Sequence, residues 1–126
     1  MTSVSSDGSG QVLQLHVKAS RGSMPIYQTA HYRARANAVE KVKAAIESFV
    51  DYVRGSEPGT RMYAAWQEVE DPTSFVHLFI FEDEAAHQAH GASKAVRQFE
   101  SVYQPELLDG PVVFIDYGLV AANNDR

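Results

Sequence analysis

The run FVHLFIF, residues 75–81, is apolar on both of the faces that a β-strand presents. Side chains alternate between the two faces of a strand, so one face is aliphatic and the other is aromatic apart from a single histidine. These two sets are Val76, Leu78 and Ile80, and Phe75, His77, Phe79 and Phe81. One layer of helices covers only one face of a sheet. The second apolar face indicates association, and we predict a homodimer packed sheet to sheet.

The patterns on either side of this run predict an alternation of strands and helices. Two helical segments carry apolar side chains three and four positions apart, and the second is interrupted at Gly91. In chain order the segments are a strand at 26–35, a helix at 36–55, strands at 61–68 and 75–81, helices within 83–108 and a strand at 111–120. The order β-α-β-β-α-β predicts an α+β, ferredoxin-like fold, with a four-stranded antiparallel sheet and helices on one face.

The 126 residues fit one folded domain with short flanking segments. Residues 1–10 are rich in Ser and Gly and predict a flexible tail, and residues 11–23 predict an additional strand and turn. The ferredoxin-like domain is expected at 24–121. Residues 122–126 are expected to form a short polar tail.

Composition excludes several classes of function. The net charge of -5 disfavours a nucleic-acid partner, because the long-range field of the protein repels phosphate. The chain has no cysteine, which removes disulfides, thiolate metal sites and cysteine nucleophiles. No apolar run reaches the roughly 20 residues of a membrane helix, and the first residues do not resemble a secretion signal. We therefore expect a cytoplasmic protein without a membrane partner.

The segment EDEAAHQAHGAS, residues 82–93, brings two histidines close together on a predicted helix. His87 and His90 are three residues apart, which differs from the HExxH spacing of zinc enzymes. A zinc ion would also need a third protein ligand. We predict no metal site here, and we expect His87 to be solvated. His31, on the polar side of the first strand, is expected at the surface or at the dimer interface.

Several short motifs follow one another at a characteristic spacing. They are PGT at 58–60 with Tyr63, Asp71-Pro72, an acidic helix start, AAHQAH ending at His90, and then Ser93 and Phe99. In this order they resemble the antibiotic biosynthesis monooxygenase family of small dimeric α+β barrel proteins, over about residues 26–120. The resemblance implies that fold and, for many members, a cofactor-independent oxygenase acting on quinols and polyphenols. Family members often carry a glutamate where this chain has Phe79.

An oxygenase of this kind needs an aromatic pocket and a base that works near neutral pH, a task for which histidine is suited. We expect the pocket between the sheet and the helices, with a small aromatic substrate, dioxygen and no cofactor. The candidate catalytic residues are His77, His90 and Tyr63, and the candidate substrate-binding residues are Trp66, Phe75, Phe79, Phe81 and Tyr103. Two residues have a structural alternative. His77 is either a pocket base or a histidine satisfied by its neighbours, and Trp66 either lines the pocket or simply fills the core.

Two other functions are compatible with the same residues. Tryptophan and histidine together suggest a haem-binding or haem-degrading member of the family. A non-catalytic dimer that binds small aromatic molecules is the other alternative.

Overall fold

The computed structural model describes residues 24–124. The predicted tail at 1–10 and the additional strand at 11–23 lie outside these residues. In chain order the elements are β1 (Ile26–Ala34), a 3-10 turn (Ala36–Ala38), α1 (Val39–Ser56), β2 (Thr60–Gln67), β3 (Ser74–Phe81), α2 (Glu84–Gly91), α3 (Lys94–Tyr103), a second 3-10 turn (Gln104–Glu106) and β4 (Leu107–Tyr117).

The four strands form one antiparallel sheet in the order β2-β3-β1-β4. This order, with the helices on one face, confirms the predicted α+β, ferredoxin-like fold. In the centre of the sheet His77 on β3 lies opposite Ala30 on β1 and opposite Ala65 on β2. Both neighbours end at a methyl group, so the sheet leaves room around the imidazole.

The first helix forms because its apolar residues recur on one side. Val42, Ile46, Phe49 and Val53 are buried, and the charged residues of the helix lie on its outer side. The helix ends at Ser56, where the backbone N–H of Glu57 still donates to the carbonyl of Val53 at 3.0 Å. Glu57 is thereby fixed at the end of α1, beneath the start of β2.

The second helical segment is two helices, as the interruption at Gly91 predicted. Each begins with a side chain that accepts a hydrogen bond from a free backbone N–H of the first turn. Asp83 accepts from Ala86 at 2.9 Å, and Ser93 accepts from Val96 at 3.1 Å. The break lets α2 and α3 take separate positions over the sheet.

The two faces of the sheet differ in their cover. The face beneath the helices holds Phe75, His77, Phe79 and Phe81, all buried. On the opposite face, which we call the open face, large apolar side chains remain exposed: Trp66 at 57%, Val113 at 53% and Tyr117 at 51%. Within residues 24–124, no helix is both long and apolar enough to cross a membrane.

Candidate functional site

A cavity of ≈ 430 Å³ lies between the sheet and the helices, where the sequence predicted a pocket. The strands contribute Tyr32, Tyr63, His77, Phe79 and Phe114 to its lining. The helices contribute Phe49, His87, His90, Phe99 and Tyr103. The cavity is therefore mostly aromatic, with a small number of hydroxyl and imidazole groups.

His77 is held between two tyrosine hydroxyls. The Tyr32 hydroxyl lies 2.8 Å from Nε2, and the Tyr63 hydroxyl lies 2.8 Å from Nδ1. The histidine is only 2% exposed, so these hydroxyls replace the water that its ring nitrogens would otherwise bind. We call these three residues the tyrosine–histidine triad.

Burial controls the protonation of this triad. Desolvation lowers the pKa of His77 from 6.5 to about 4, so the imidazole is neutral at physiological pH. Burial likewise raises the pKa of Tyr32 and Tyr63 well above the ordinary phenol value, and nearby tyrosines raise both further. All three groups are therefore uncharged near neutral pH. The triad offers hydrogen bonds rather than a fixed charge.

His90 has a different environment. Its Nδ1 lies 2.8 Å from Oε1 of Glu57, and the two side chains are only 12% and 10% exposed. A carboxylate accepts hydrogen bonds, so Nδ1 carries a proton, and Nε2 is the nitrogen that has a lone pair in the neutral imidazole. The Thr60 hydroxyl also donates to Oε1 at 2.8 Å, which fixes the carboxylate. The arrangement is a carboxylate–imidazole pair at the cavity wall.

His87 lies in a less polar place than the sequence indicated. We expected it to be solvated, but it lines the cavity, with its ring 5.0 Å from that of Phe81. Its Nδ1 is buried and has no hydrogen-bond partner among residues 24–124, and Oε2 of Glu84 is 3.6 Å away. The side chain is still 34% exposed, so it is partly solvated, as expected, and partly shielded, because the first turn of α2 rests on the end of β3.

The structure separates the predicted wall residues. Phe79 and Tyr103 line the cavity, whereas Phe75 and Phe81 are buried beside it in the core. Trp66 is on the open face, so it neither lines this cavity nor fills the core beneath the helices. The physical reason is strand alternation, because Tyr63 faces the helices and a residue three positions later must face away.

Two residues of the site did not emerge as candidates from the sequence. Tyr32 shares the inner face of β1 with Ala30 and Ala34, and strand alternation was the signal that could have identified it. Glu57 follows α1 in sequence and gave no local signal of its pairing with His90, which is 33 residues away. Among the residues described, no three His, Asp or Glu side chains are grouped closely enough to hold a metal ion.

Known structures share this fold. A Bacteroides thetaiotaomicron protein named as a candidate antibiotic biosynthesis monooxygenase superimposes with a TM-score of 0.74 and 18% identity, over 83% of this chain and 98% of its own. A Caulobacter crescentus protein of the same designation gives 0.73 and 15% identity, over 84% and 99%. One from Nitrosomonas europaea gives 0.69 and 18% identity, over 78% and 92%. At these identities the similarity establishes the fold alone.

The sequence itself establishes the family. No curated protein matches this chain, but the profile described as antibiotic biosynthesis monooxygenase matches residues 25–101. The matched segment contains β1 to β3 and most of the helical layer, including Tyr32, Tyr63, His77 and His90. More than half of the chain is covered, and the chain belongs to the antibiotic biosynthesis monooxygenase family.

Proposed function

We propose that this protein is a monooxygenase that oxidises a small quinol or polycyclic phenol with dioxygen, without a metal or an organic cofactor. The observation that carries the proposal is the ≈ 430 Å³ aromatic cavity, in whose wall an imidazole is paired with a buried carboxylate. A deprotonated phenol is electron-rich enough to reduce dioxygen itself. The protein therefore needs only to bind the ring, limit the access of water and remove a proton.

His90 is the better of the two candidate bases. Its Nε2 has no hydrogen-bond partner among the described residues, and Glu57 holds the proton on the other nitrogen. When Nε2 accepts a proton, the carboxylate compensates the imidazolium that forms. His77, by contrast, already uses both ring nitrogens, and its pKa of about 4 makes it a weak base at neutral pH.

The proposed reaction begins when Nε2 of His90 removes a phenolic proton. The phenolate transfers an electron to dioxygen, and recombination at a ring carbon that bears a hydrogen gives a peroxide anion. The His90 imidazolium returns its proton to this anion, which gives a hydroperoxide. Loss of water from the hydroperoxide leaves a carbonyl group on that carbon. One atom of dioxygen enters the product and the other leaves as water. A hydroxyl of Tyr32 or Tyr63 serves as the hydrogen-bond donor to the oxyanion.

Oxygen uptake by the purified full chain tests this proposal. With a panel of quinols and polycyclic phenols, we expect uptake above the spontaneous rate and incorporation of one ¹⁸O atom from labelled dioxygen. His90→Ala should lower kcat about a hundredfold or more, because a positioned base contributes 10²–10⁴-fold. Glu47→Gln, at an exposed position of α1, is the control. Binding of these ligands without oxygen uptake would instead support a non-catalytic binding protein.

We also propose that the protein works as a homodimer packed through the open face. Trp66 on β2 and Val113, Ile115 and Tyr117 on β4 are exposed there, and the apolar side chains of β3 pair with β2. The outer side of β1, which carries Thr29, His31 and Arg33, forms a polar strip between β3 and β4. Exposed apolar side chains of this size on a sheet favour association. The partner would then cover the face that the helices leave bare.

Sedimentation velocity tests the dimer. The unaltered chain should sediment as a dimer, and Trp66→Asp should weaken the association at least about a hundredfold, because it replaces a large apolar contact of the proposed interface with a buried charge. Arg54→Asp, on the outer side of α1, is the matched control and should remain dimeric. A monomeric native protein, or a dimer unaffected by Trp66→Asp, would refute the proposed interface.

A further inference from the structure

In the tyrosine–histidine triad, each ring nitrogen of His77 has one tyrosine hydroxyl as its hydrogen-bond partner. Nδ1 and Nε2 of His77 face opposite sides of the ring, and each has a phenol oxygen at 2.8 Å. Neither hydroxyl has another hydrogen-bond partner among residues 24–124. Two such bonds on a five-membered ring place the phenol oxygens about 7 Å apart. Tyr32, Tyr63 and His77 all line the cavity.

A neutral imidazole carries one N–H donor and one lone pair. It therefore donates to one tyrosine and accepts from the other, whichever tautomer it adopts. The tyrosine that accepts from His77 keeps its own O–H free to donate. The tyrosine that donates to His77 uses its only O–H in that bond, so it can only accept further hydrogen bonds. The triad consequently presents one donor and one acceptor to whatever occupies the cavity.

We infer that the tyrosine–histidine triad selects the reduced, hydroxylated form of an aromatic ligand and disfavours the corresponding quinone. The inference takes its class of ligand from the proposed function. It adds a specificity-determining role for Tyr32, Tyr63 and His77.

The selection follows from hydrogen-bond matching. A para-quinol has two hydroxyls, and each can donate or accept, so both tyrosines are satisfied. A quinone has two carbonyl oxygens, which only accept. One carbonyl receives the free tyrosine proton, and the other faces the lone pairs of the second tyrosine. A buried acceptor without a donor weakens binding by about tenfold or more. A quinone product would accordingly bind less tightly than the quinol.

Anaerobic binding measurements test the inference without any turnover. The probes are 2,3-dimethyl-1,4-naphthoquinone and its quinol, whose methyl groups block addition to the ring. Quenching of intrinsic fluorescence gives Kd for each, and we expect the quinol to bind about tenfold more tightly than the quinone. Tyr32→Phe and Tyr63→Phe should bring the ratio to within about threefold of one, because the remaining tyrosine becomes free to donate.

His77→Gln is the matched control, because a glutamine amide also provides one donor and one acceptor. It should keep the preference for the quinol. The inference is overturned if the unaltered protein binds the quinone as well as the quinol, if it binds neither, or if the tyrosine variants keep the full ratio. Oxygen uptake is measured separately. Uptake with an unselective cavity would overturn this inference and leave the proposed oxygenase intact, and selective binding without uptake would do the reverse.

Discussion

The two faces of the sheet are built from the same four strands, yet they carry different side chains and differ in their burial. The inner face holds aromatic side chains and His77, whose two ring nitrogens are matched by tyrosine hydroxyls. The open face carries Trp66 and Val113 in contact with solvent, and its polar contacts, such as that of His31 with the Thr29 hydroxyl at 2.9 Å, are exposed. Strand alternation alone produced this division. The inner face supports the proposed binding of an aromatic ring, and the open face supports the proposed association with a second copy.

Removing a ring from the inner face should cause the largest loss of stability. Phe81 is fully buried, and its ring packs 5.1 Å from His90 and 5.0 Å from His87. Phe81→Ala should lower the free energy of unfolding by about 3–5 kcal/mol, because it leaves a cavity that the sheet cannot close. Urea unfolding monitored by circular dichroism measures this.

The counterpart on the open face is Trp66→Ala, which removes a larger ring from a 57% exposed position. At a dilution at which the protein is monomeric, this variant should lose less than half as much stability as Phe81→Ala. Equal losses would show that the open face is as well packed within one protomer as the inner face. The proposed difference in packing between the two faces would then be wrong.

The fold could be predicted from sequence because periodicity reports which side chains share a face. The alternation in residues 75–81 correctly grouped His77 with its three phenylalanines. It does not report which face the helices cover, and placing Tyr63 and Trp66 in one pocket conflicted with their three-residue separation in a strand. The pairing of Glu57 with His90 depends on the tertiary fold, so no local pattern revealed it.

The burial of His77 on the inner face should make the stability of the fold depend on pH. The folded protein holds His77 with a pKa of about 4, whereas the unfolded chain has the ordinary value of 6.5. As pH falls, the unfolded state takes up the proton first, so His77 stabilises the fold fully above pH 6.5 and this stability is lost as pH falls towards 4. The loss should reach about 3 kcal/mol. Urea unfolding across this range measures it.

His77→Gln isolates that contribution, because glutamine does not titrate and the other histidines are retained. The difference in unfolding free energy between the two proteins should vary with pH only in this window. A constant difference from pH 4 to 7 would mean that His77 is protonated as easily in the fold as in the unfolded chain. A neutral His77 that donates to one tyrosine and accepts from the other would then be ruled out.

A smaller effect is expected where the charge of Glu57 is removed without changing its shape. Glu57→Gln can still accept from Nδ1 of His90, but it cannot compensate the imidazolium. The kcat of oxygen uptake should fall about tenfold to a hundredfold with little change in KM, because the lost interaction belongs to the transition state. Glu57→Asp should recover part of the rate by restoring the charge.

Glu82→Gln is the control, since this exposed carboxylate lines, together with Glu57 and His90, a pocket of ≈ 380 Å³ beside the aromatic cavity. It should leave kcat unchanged. If Glu57→Gln and Glu82→Gln have the same rate as the unaltered protein, His90 does not depend on the carboxylate of Glu57. The proposal that His90 rather than His77 is the base would then lose its support.

The smallest effect is expected at the helix starts that position the inner face. Asp83 and Ser93 each satisfy one backbone N–H, at 2.9 and 3.1 Å. Asp83→Ala and Ser93→Ala should each cost about 1 kcal/mol of unfolding free energy. Their effects on ligand binding should differ, because Asp83 fixes α2, which carries His87 and His90, whereas Ser93 fixes α3.

Asp83→Asn provides the control, because asparagine caps a helix about as well as aspartate but lacks the charge that favours a helix N-terminus. It should recover most of the lost stability. If Asp83→Ala loosens the binding of the naphthoquinol while Ser93→Ala does not, the position of α2 over the sheet controls the cavity. If both variants weaken binding equally, the cavity depends on the helical layer as a whole. The position of α3 would then matter for ligand binding as much as that of α2, which carries His90.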